Sequence, residues 1–280
     1  MKIRLLLLFL IVWANLSLAQ NKVVFQEEDA AILSEIFEKL QLESDKSTAE
    51  LVVLAGESLL GTPYVAHTLE SEKEQLIVNL RGMDCTTYAE NCLAIARCVK
   101  NGNTSFFAFA GELQKIRYRF GVIDNYPSRL HYFSDWIFEN EQQGFVKQYS
   151  KQITNTVYPL RVDFMSTHPD SYPQLKSNKD FVDALAKKEK EISKRKMFYI
   201  PEDQISGHET QLKAGDIVGI TTSIAGLDMS HVGILVRING RIHLMHASSS
   251  AKKVVISKNT LEDYLRAGKS TTGIAVVRPL

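Results

Sequence analysis

The sequence predicts an α+β fold, with helices in the first half of the chain and an antiparallel sheet near its end. Apolar residues recur at helical spacing in several stretches before residue 120. From about residue 212 the pattern changes to short apolar runs that are separated by turn residues. Two of these runs flank Asn239-Gly240, and Asn-Gly between apolar runs is the strongest short signal for a β-hairpin.

Four helices are predicted in the first half, over residues 27–43, from Ser47 to near Leu60, over 85–99 and over roughly 105–118. The first has one apolar face, as expected of a helix that packs on a core. The capping box Ser47-Thr48-Ala49-Glu50 marks the start of the second. Residues 75–80, which precede the third, are expected to form a strand or an extended approach to it.

Cys85 is the candidate nucleophile, because it falls in the first turn of the third helix. Asp84 is a good N-cap residue and fixes the helix start at this point. Unpaired N–H groups and the helix dipole favour a thiolate there, so we expect a pKa below the usual value of about 8.5. The same N–H groups could bind an oxyanion. A lone cysteine is more often a small buried packing residue, and this alternative stays open here.

The middle of the chain is irregular and rich in aromatic residues. Residues 126–136 combine aromatic rings with Arg129 and His131, a composition typical of a sugar-binding surface. The alternative is that these rings pack a small core beneath a long loop. Ser134 is predicted to cap a short helix through Gln143. Residues 162–177 are expected to be loop with short helical turns, and 178–196 a charged, solvated helix.

The strands near the end place histidines on opposite faces of a hairpin. Strands are predicted over residues 215–220, 231–238, 241–248, 253–256 and 273–278, with a short helix over 261–267. A two-residue turn at Asn239-Gly240 sets Ile238 opposite Arg241. Because side chains alternate along a strand, His231 then shares a face with His246, and His243 points the other way. A bulge would reverse this assignment. A base that a second polar group orients is what a cysteine nucleophile needs.

Residues 1–19 have the composition of a cleavable signal peptide, with a charged start, an apolar run and Ser17-Leu18-Ala19 at the cleavage position. We therefore expect an exported, periplasmic protein whose residues 20–280 form a single domain, with an insertion at about 120–200. No second apolar run is long enough to span a membrane, so stable membrane insertion is not expected. The net charge of +1 gives no indication of a nucleic-acid partner.

The three cysteines cannot form disulfides with one another on one helix. Cys85 and Cys92 are about 10.5 Å apart along the helix axis, and Cys92 and Cys98 about 9 Å. Unpaired thiols in an exported protein favour a catalytic cysteine over a disulfide framework. The chain has no CxxC or HExxH spacing, so we expect no metal and no cofactor.

Several motifs in order resemble the NlpC/p60 cysteine peptidase superfamily. They are Gly61-Thr62-Pro63-Tyr64, Asp84-Cys85, Gly215-Asp216, His231-Val232-Gly233-Ile234 and His246-Ala247-Ser248. Three details are similar to one branch, the amidases catalogued as domain of unknown function 1460. These details are Asp84-Cys85-Thr86-Thr87, Arg129-Leu130-His131-Tyr132-Phe133 and Gly226-Leu227-Asp228-Met229-Ser230-His231.

The resemblance implies a papain-like core, in which the nucleophile helix packs on the antiparallel sheet, and an N-acetylmuramoyl-L-alanine amidase. Its substrates would be peptidoglycan fragments (muropeptides), here those with 1,6-anhydro-N-acetylmuramic acid. It implies Cys85 as nucleophile, His231 as base, His246 as its orienting group and Tyr64 as a further active-site residue. Candidate substrate-binding residues are Asp84, Arg129, His131, Tyr132 and Trp136.

Two alternatives remain at this point. The wider superfamily cleaves between γ-D-glutamate and diaminopimelate with the same catalytic core. A catalytically silent peptidoglycan-binding module is the other, and the intact set of Cys85, His231 and His246 argues against it. A monomer is expected in each case.

Overall fold

The computed structural model describes residues 23–280. The predicted signal peptide, residues 1–19, lies outside this range. Within residues 23–280, no helix is both long and apolar enough to cross a membrane.

Helices occupy more than half of residues 23–117, and helices of 4 to 14 residues follow in the rest of the chain. Their bounds are α1 Glu27–Leu40, α2 Thr48–Ser58, α3 Cys85–Lys100, α4 Phe106–Arg117, α5 Phe133–Gln142, α6 Ser150–Ile153, α7 Phe164–Thr167, α8 Pro173–Lys176, α9 Lys179–Ile192, α10 Ile205–His208 and α11 Leu261–Arg266. The four long helices predicted in the first half are confirmed. The capping box is present at the start of α2, where the Ser47 hydroxyl accepts from the backbone N–H of Glu50.

The strands form a seven-stranded antiparallel sheet and a separate two-stranded pair. Their bounds are β1 Val146–Gln148, β2 Val157–Tyr158, β3 Met197–Phe198, β4 Ile200–Pro201, β5 Ile217–Thr222, β6 Met229–Ile238, β7 Arg241–Ser248, β8 Lys253–Thr260 and β9 Thr271–Pro279. The large sheet has the order β1-β9-β5-β6-β7-β8, with β4 also paired to β9, and β2 pairs with β3. Helices on an antiparallel sheet give the α+β class that the sequence predicts.

The β6–β7 hairpin has the register that the Asn-Gly turn requires. Asn239 and Gly240 both have positive φ, of 50° and 82°, as a two-residue turn of this kind demands. Ile238 lies opposite Arg241, and Val236 lies opposite His243. No bulge interrupts this part of the hairpin, so the predicted alternation of its histidines holds.

The sheet separates two apolar cores. On one face, α3 packs on β6 and β7 with α2 and α4 around it. Val232 and Ile234 belong to this larger core, which explains why nearly every residue of α3 is buried. On the other face, Leu261 and Leu265 of α11 cover a smaller core with Ile220. Burial of apolar side chains on both faces holds the sheet between α3 on one side and α11 on the other.

Some predicted elements differ from the structure. Of the two alternatives for residues 75–80, the strand is not formed, and the segment is an approach to α3 in which Ile77 makes a single bridge to Val24. Ser134 is not the cap of α5, since the N-cap position is Tyr132. Instead, the buried carboxylate of Asp228 accepts a hydrogen bond of 2.7 Å from the backbone N–H of Ser134. This contact ties the start of α5 to the start of β6, a connection that local sequence does not reveal.

Candidate active site

Cys85 is the first residue of α3, and its position is fixed by the cap before it. The Asp84 carboxylate accepts from the backbone N–H of Thr87 at 2.8 Å, and the Asp84 N–H donates to the Thr87 hydroxyl at 2.9 Å. This reciprocal pair satisfies two N–H groups that a helix start would leave free. Asp84 is therefore the N-cap of α3. It also lines a cavity that Cys85 borders.

The sulfur of Cys85 lies where β6 and β7 part. The β6–β7 register runs from the turn to Ile234 and Met245. Beyond that point the backbone N–H of Val232 is free of β7 and donates a hydrogen bond to the sulfur. The start of α3 therefore lies beside β6, the strand that also carries His231, the residue before Val232.

The Cys85 thiol is protonated in the resting structure. Burial, followed by the nearby Asp84 carboxylate, raises its pKa to about 12. The expectation of a thiol acidified by the helix start is therefore wrong. Desolvation outweighs the helix dipole and the hydrogen bonds from Val232 and Thr86, which act in the opposite direction.

His231 and His246 form a hydrogen-bonded pair. The distance between Nε2 of His231 and Nδ1 of His246 is 2.5 Å, and the two rings are perpendicular, at 89°. Burial and the His246 charge lower the pKa of His231 to about 3, and burial lowers the pKa of His246 to about 4. Both imidazoles are thus neutral near pH 7, and the Nδ1 atom of His231 is the ring nitrogen that the pair leaves free.

Cys85 and His231 line one small cavity of about 130 Å³. His243 has no place in it, because its Nδ1 atom contacts the carbonyl oxygen of Ser257 at 3.0 Å between β7 and β8. The predicted grouping of the histidines is confirmed as geometry. The arrangement supplies a thiol, a neutral imidazole and a second imidazole bonded to the first.

Tyr64 reaches the site through the loop after α2. Its backbone N–H donates to the carbonyl oxygen of Lys252, and it forms a bridge with Met83. Tyr64 and Cys85 border a second cavity, of about 360 Å³. Burial, followed by the Cys85 and Asp84 charges, raises the pKa of Tyr64, so its phenol stays a hydrogen-bond donor near pH 7.

Tyr264 is a residue at the site that sequence reasoning missed. Its ring centre lies 5.3 Å from that of His246 and 6.5 Å from that of His231. Burial, followed by the Cys85 charge, raises its pKa. The predicted helix over 261–267 contained this tyrosine, but nothing in the sequence indicated that the helix packs beside the histidine pair.

Arg129 and His131, which are predicted to bind substrate, border the cavity next to Tyr64, and both have partners within the protein. The Arg129 guanidinium donates to Glu70 at 2.7 Å and to the carbonyl oxygen of Leu69 at 3.1 Å. His131 lies 2.8 Å, through Nε2, from the carbonyl oxygen of Tyr126. Burial, then the Arg129 charge, lowers the pKa of His131 well below its usual value. Because a carbonyl only accepts, Nε2 donates and Nδ1 is left as an acceptor.

Tyr132 and Trp136 lie outside the cavities around Cys85, so their prediction as substrate-binding residues is wrong. Tyr132 is buried, where its hydroxyl donates to Glu189 at 2.7 Å and accepts from the N–H of Met165 at 2.9 Å. Trp136 is 0% exposed and stacks on Phe133 with ring centres 4.8 Å apart. Both side chains pack the interior, which was the alternative considered for this loop.

The carboxylates around the larger cavity are engaged by the protein itself. Glu90 and Arg117 form an ion pair of 2.7 Å in which both side chains are 2% exposed. Glu70 binds Arg129, and Asp84 caps α3. Among residues 23–280, no three His, Cys, Asp or Glu side chains are grouped to hold a metal ion.

Comparison with known proteins gives matches over most of the chain. A model of the family described as AmiA-like, N-acetylmuramoyl-L-alanine amidase-like, matches residues 54–274. A crystal structure of an N-acetylmuramoyl-L-alanine amidase from Bacteroides uniformis is 39% identical, with a TM-score of 0.80, and the match covers 83% of this chain and 98% of that chain. No curated protein sequence matches the chain.

Two further structures resemble the chain. A protein from Bacteroides fragilis, described as a candidate xylanase, is 42% identical with a TM-score of 0.78, over 81% of this chain and 99% of that one. A Legionella pneumophila protein, of the family called domain of unknown function 1460, is 23% identical with a TM-score of 0.65. That match covers 90% of this chain and 97% of the other, and at this identity it shows a shared fold alone.

Proposed function

Because the chain belongs to the N-acetylmuramoyl-L-alanine amidase-like family, we propose that it hydrolyses the amide bond between N-acetylmuramic acid and L-alanine in peptidoglycan fragments, with Cys85 as the nucleophile. One observation carries the cysteine mechanism: Cys85 and His231 line the same cavity, and His231 is bonded to His246. A nucleophile, a base and a group that orients the base are the parts that covalent amide hydrolysis needs.

In the first half-reaction, the sulfur of Cys85 attacks the carbonyl carbon of the muramoyl amide, and the thiol proton passes to Nδ1 of His231. The electron pair of the C=O π bond moves to oxygen, which becomes an oxyanion. When the C=O bond re-forms, the C–N bond breaks and His231 gives its proton to the leaving nitrogen. The stem peptide departs as an amine, and the muramoyl group stays on Cys85 as a thioester.

In the second half-reaction, His231 takes a proton from water, and the hydroxide oxygen attacks the thioester carbon. The C–S bond then breaks, the proton returns to sulfur, and the muramoyl carboxylic acid leaves. The pKa of about 12 for the thiol and about 3 for His231 disfavour a resting thiolate–imidazolium pair. Proton transfer therefore accompanies attack on the substrate, when negative charge moves from sulfur to the carbonyl oxygen.

His246 acts by fixing the tautomer of His231. If His231 donates its Nε2–H to Nδ1 of His246, the Nδ1 atom of His231 keeps the lone pair that a base requires. The reverse tautomer would leave a proton on Nδ1 and no base at the thiol. The short contact between the rings also lets His246 share the positive charge that His231 gains during the reaction.

Two donors near the sulfur suit the oxyanion. The backbone N–H of Cys85 is at the N-terminus of α3, where helix N–H groups have no partner in the helix. The Tyr64 phenol borders the cavity of about 360 Å³ that Cys85 also lines, and it stays protonated near pH 7. Fixed donors of this kind stabilise the charge that develops in the transition state.

We place the sugar in the cavity of about 360 Å³ that Tyr64 and Cys85 border. Of the predicted sugar contacts, Asp84, Arg129 and His131 line this cavity. Because Arg129 is held by carboxylates, His131 is the more available group, with its acceptor nitrogen free for a hydroxyl or amide N–H. A 1,6-anhydro sugar is compact and has fewer free hydroxyl groups, in keeping with a pocket whose polar groups are mostly engaged.

We also propose that the fold is a papain-like NlpC/p60 core in a single domain of residues 20–280, with an insertion at about 120–200. The nucleophile at the start of α3 and the packing of α3 on β6 and β7 support this placement. Cleavage after residue 19, a periplasmic location and a monomeric state stay predictions.

Glycan cleavage, which the description of the Bacteroides fragilis protein would suggest, finds less support at this site. Hydrolysis of a glycosidic bond uses two carboxyl groups that flank the bond. Here Glu70 and Glu90 are held by arginines and Asp84 caps a helix. None of the three is free to act as an acid or a nucleophile. The γ-D-glutamyl-diaminopimelate endopeptidase uses the same catalytic groups, and product analysis separates it from the amidase.

Mass spectrometry of the products from defined muropeptides tests the proposal. We expect one cleavage, which gives free N-acetylmuramic acid or its anhydro form and an intact stem peptide. Cys85→Ala and Cys85→Ser should lose on the order of 10⁴-fold or more in kcat/KM while the melting temperature is kept. A peptide cut after γ-D-glutamate would identify the endopeptidase instead. Turnover retained by both Cys85 variants would exclude the nucleophile assignment.

A further inference from the structure

Three cavities are lined by Cys85, by His231 or by both. The small cavity of about 130 Å³ touches both Cys85 and His231. The cavity of about 360 Å³ touches Cys85 but not His231. A third, of about 390 Å³, touches His231 but not Cys85, and Tyr264 of α11 lines it.

The chemistry of amide cleavage assigns a half of the substrate to each side. The acyl half becomes bonded to sulfur, so it must occupy the space that Cys85 borders. The amine half receives its proton from His231 and never bonds to sulfur, so it must occupy the space that His231 borders. The substrate therefore lies along the cleft with its acyl half toward Cys85 and its amine half toward His231.

The third cavity has a lining suited to a small, uncharged group. Its side chains include Ser230, Asn259, Tyr264, Ala267 and Thr271, and apart from His231 none of its lining residues is ionisable near pH 7. Ser230 and Asn259 are exposed and can bond peptide N–H and C=O groups. The Tyr264 ring forms a wall beside both imidazoles. Such a lining accepts the methyl group and backbone of an alanine and offers no partner for a charged side chain.

We infer that this third cavity, between the start of β6 and α11, is the subsite for the leaving amine half of the substrate, an L-alanyl peptide. The inference rests on the proposed function and adds the direction in which the substrate lies: sugar on the Cys85 side, peptide on the Tyr264 side. Ala267 lines this peptide subsite at the exposed C-terminal end of α11.

Filling the peptide subsite tests the inference. Ala267→Phe places a ring in the cavity, and Asn259→Tyr does so from β8, in case the first variant folds poorly. Two substrates share the same muramoyl acyl half: one carries the L-alanyl stem peptide, and the other is the primary amide, which releases only ammonia. Ala225→Phe is the matched control. Ala225 borders a separate cavity of about 490 Å³, which Leu227 also lines.

We expect each filling variant to lose at least tenfold in kcat/KM for the peptide substrate and less than twofold for the primary amide, with iodoacetamide labelling of Cys85 unchanged. Ala225→Phe should leave both substrates unaffected. Equal losses for the two substrates, no loss in either filling variant, or a peptide-selective loss in Ala225→Phe would each overturn the assignment. Failure of the proposed function looks different, because the wild-type protein would then cleave neither substrate, and the inference would fall with it.

Discussion

Two walls of the candidate active-site cleft differ in how their polar side chains are engaged. On the wall formed by α3 and the β6–β7 hairpin, His231 and His246 bond each other, and the free nitrogen of His231 faces no protein partner. On the wall formed by residues 119–143, Arg129 is held by Glu70 and Asp135 by two arginines. The free ring nitrogen of His231 is the group that we propose for the chemistry, and the arginine–carboxylate pairs hold the shape of the opposite wall.

The sharpest test of this contrast compares His231 on β6 with His243 on β7. We expect His231→Ala to lower kcat/KM by about 10²–10⁴-fold, because it removes the general base. His243→Ala should have a much smaller effect on kcat/KM, since His243 contacts Ser257 away from the thiol. Steady-state kinetics with circular dichroism on both variants provides the measurement. A larger loss in His243→Ala than in His246→Ala would mean that the histidine pair is not the catalytic one.

The second test addresses the opposite wall. Trp136→Ala should destabilise the protein by about 3–5 kcal/mol, because it removes a fully buried indole. Phe120→Ala, at a side chain 75% exposed, should change stability by less than about 0.5 kcal/mol. Urea denaturation measures both. If Trp136→Ala keeps its stability and instead raises KM for sugar-bearing substrate, the indole contacts the substrate after all.

The third test is the pH dependence of stability. The pKa values of His231 and His246 are lowered from 6.5 to about 3 and about 4, so the unfolded chain binds protons that the folded chain does not. Their contribution to stability is therefore complete above about pH 6.5 and is lost as the pH falls toward 3. Melting temperatures between pH 7 and pH 4 should fall less steeply in a His231→Asn/His246→Asn variant. Parallel curves for variant and wild type would contradict the lowered values.

Much of the fold could be predicted because its signals are local. The Asp84 cap, the capping box at Ser47 and the Asn239-Gly240 turn each depend on a few neighbouring residues, and all are confirmed. The histidine pair could be predicted for the same reason, since a turn of known length fixes the alternation of both strands.

The parts that failed depend on contacts between distant segments. Trp136 and Tyr132 look like a sugar platform in sequence, but α9 and the helical core bury them. The Cys85 pKa depends on how far the folded chain removes the start of α3 from water, which the helix sequence does not contain. Tyr264 joins the site only because α11 packs against the sheet beside the histidines.

The protonated resting state of Cys85 has a consequence for the lifetime of the protein in oxidising surroundings. Oxidants react with the thiolate, and an unfolded chain exposes a cysteine with a pKa of about 8.5. Folding raises that value to about 12, so Cys85 in the folded chain presents far less thiolate to peroxide than the same residue in the unfolded chain. Cys92 and Cys98 are buried and too distant along α3 to trap it as a disulfide. Folding therefore slows the oxidation of Cys85 relative to the unfolded chain.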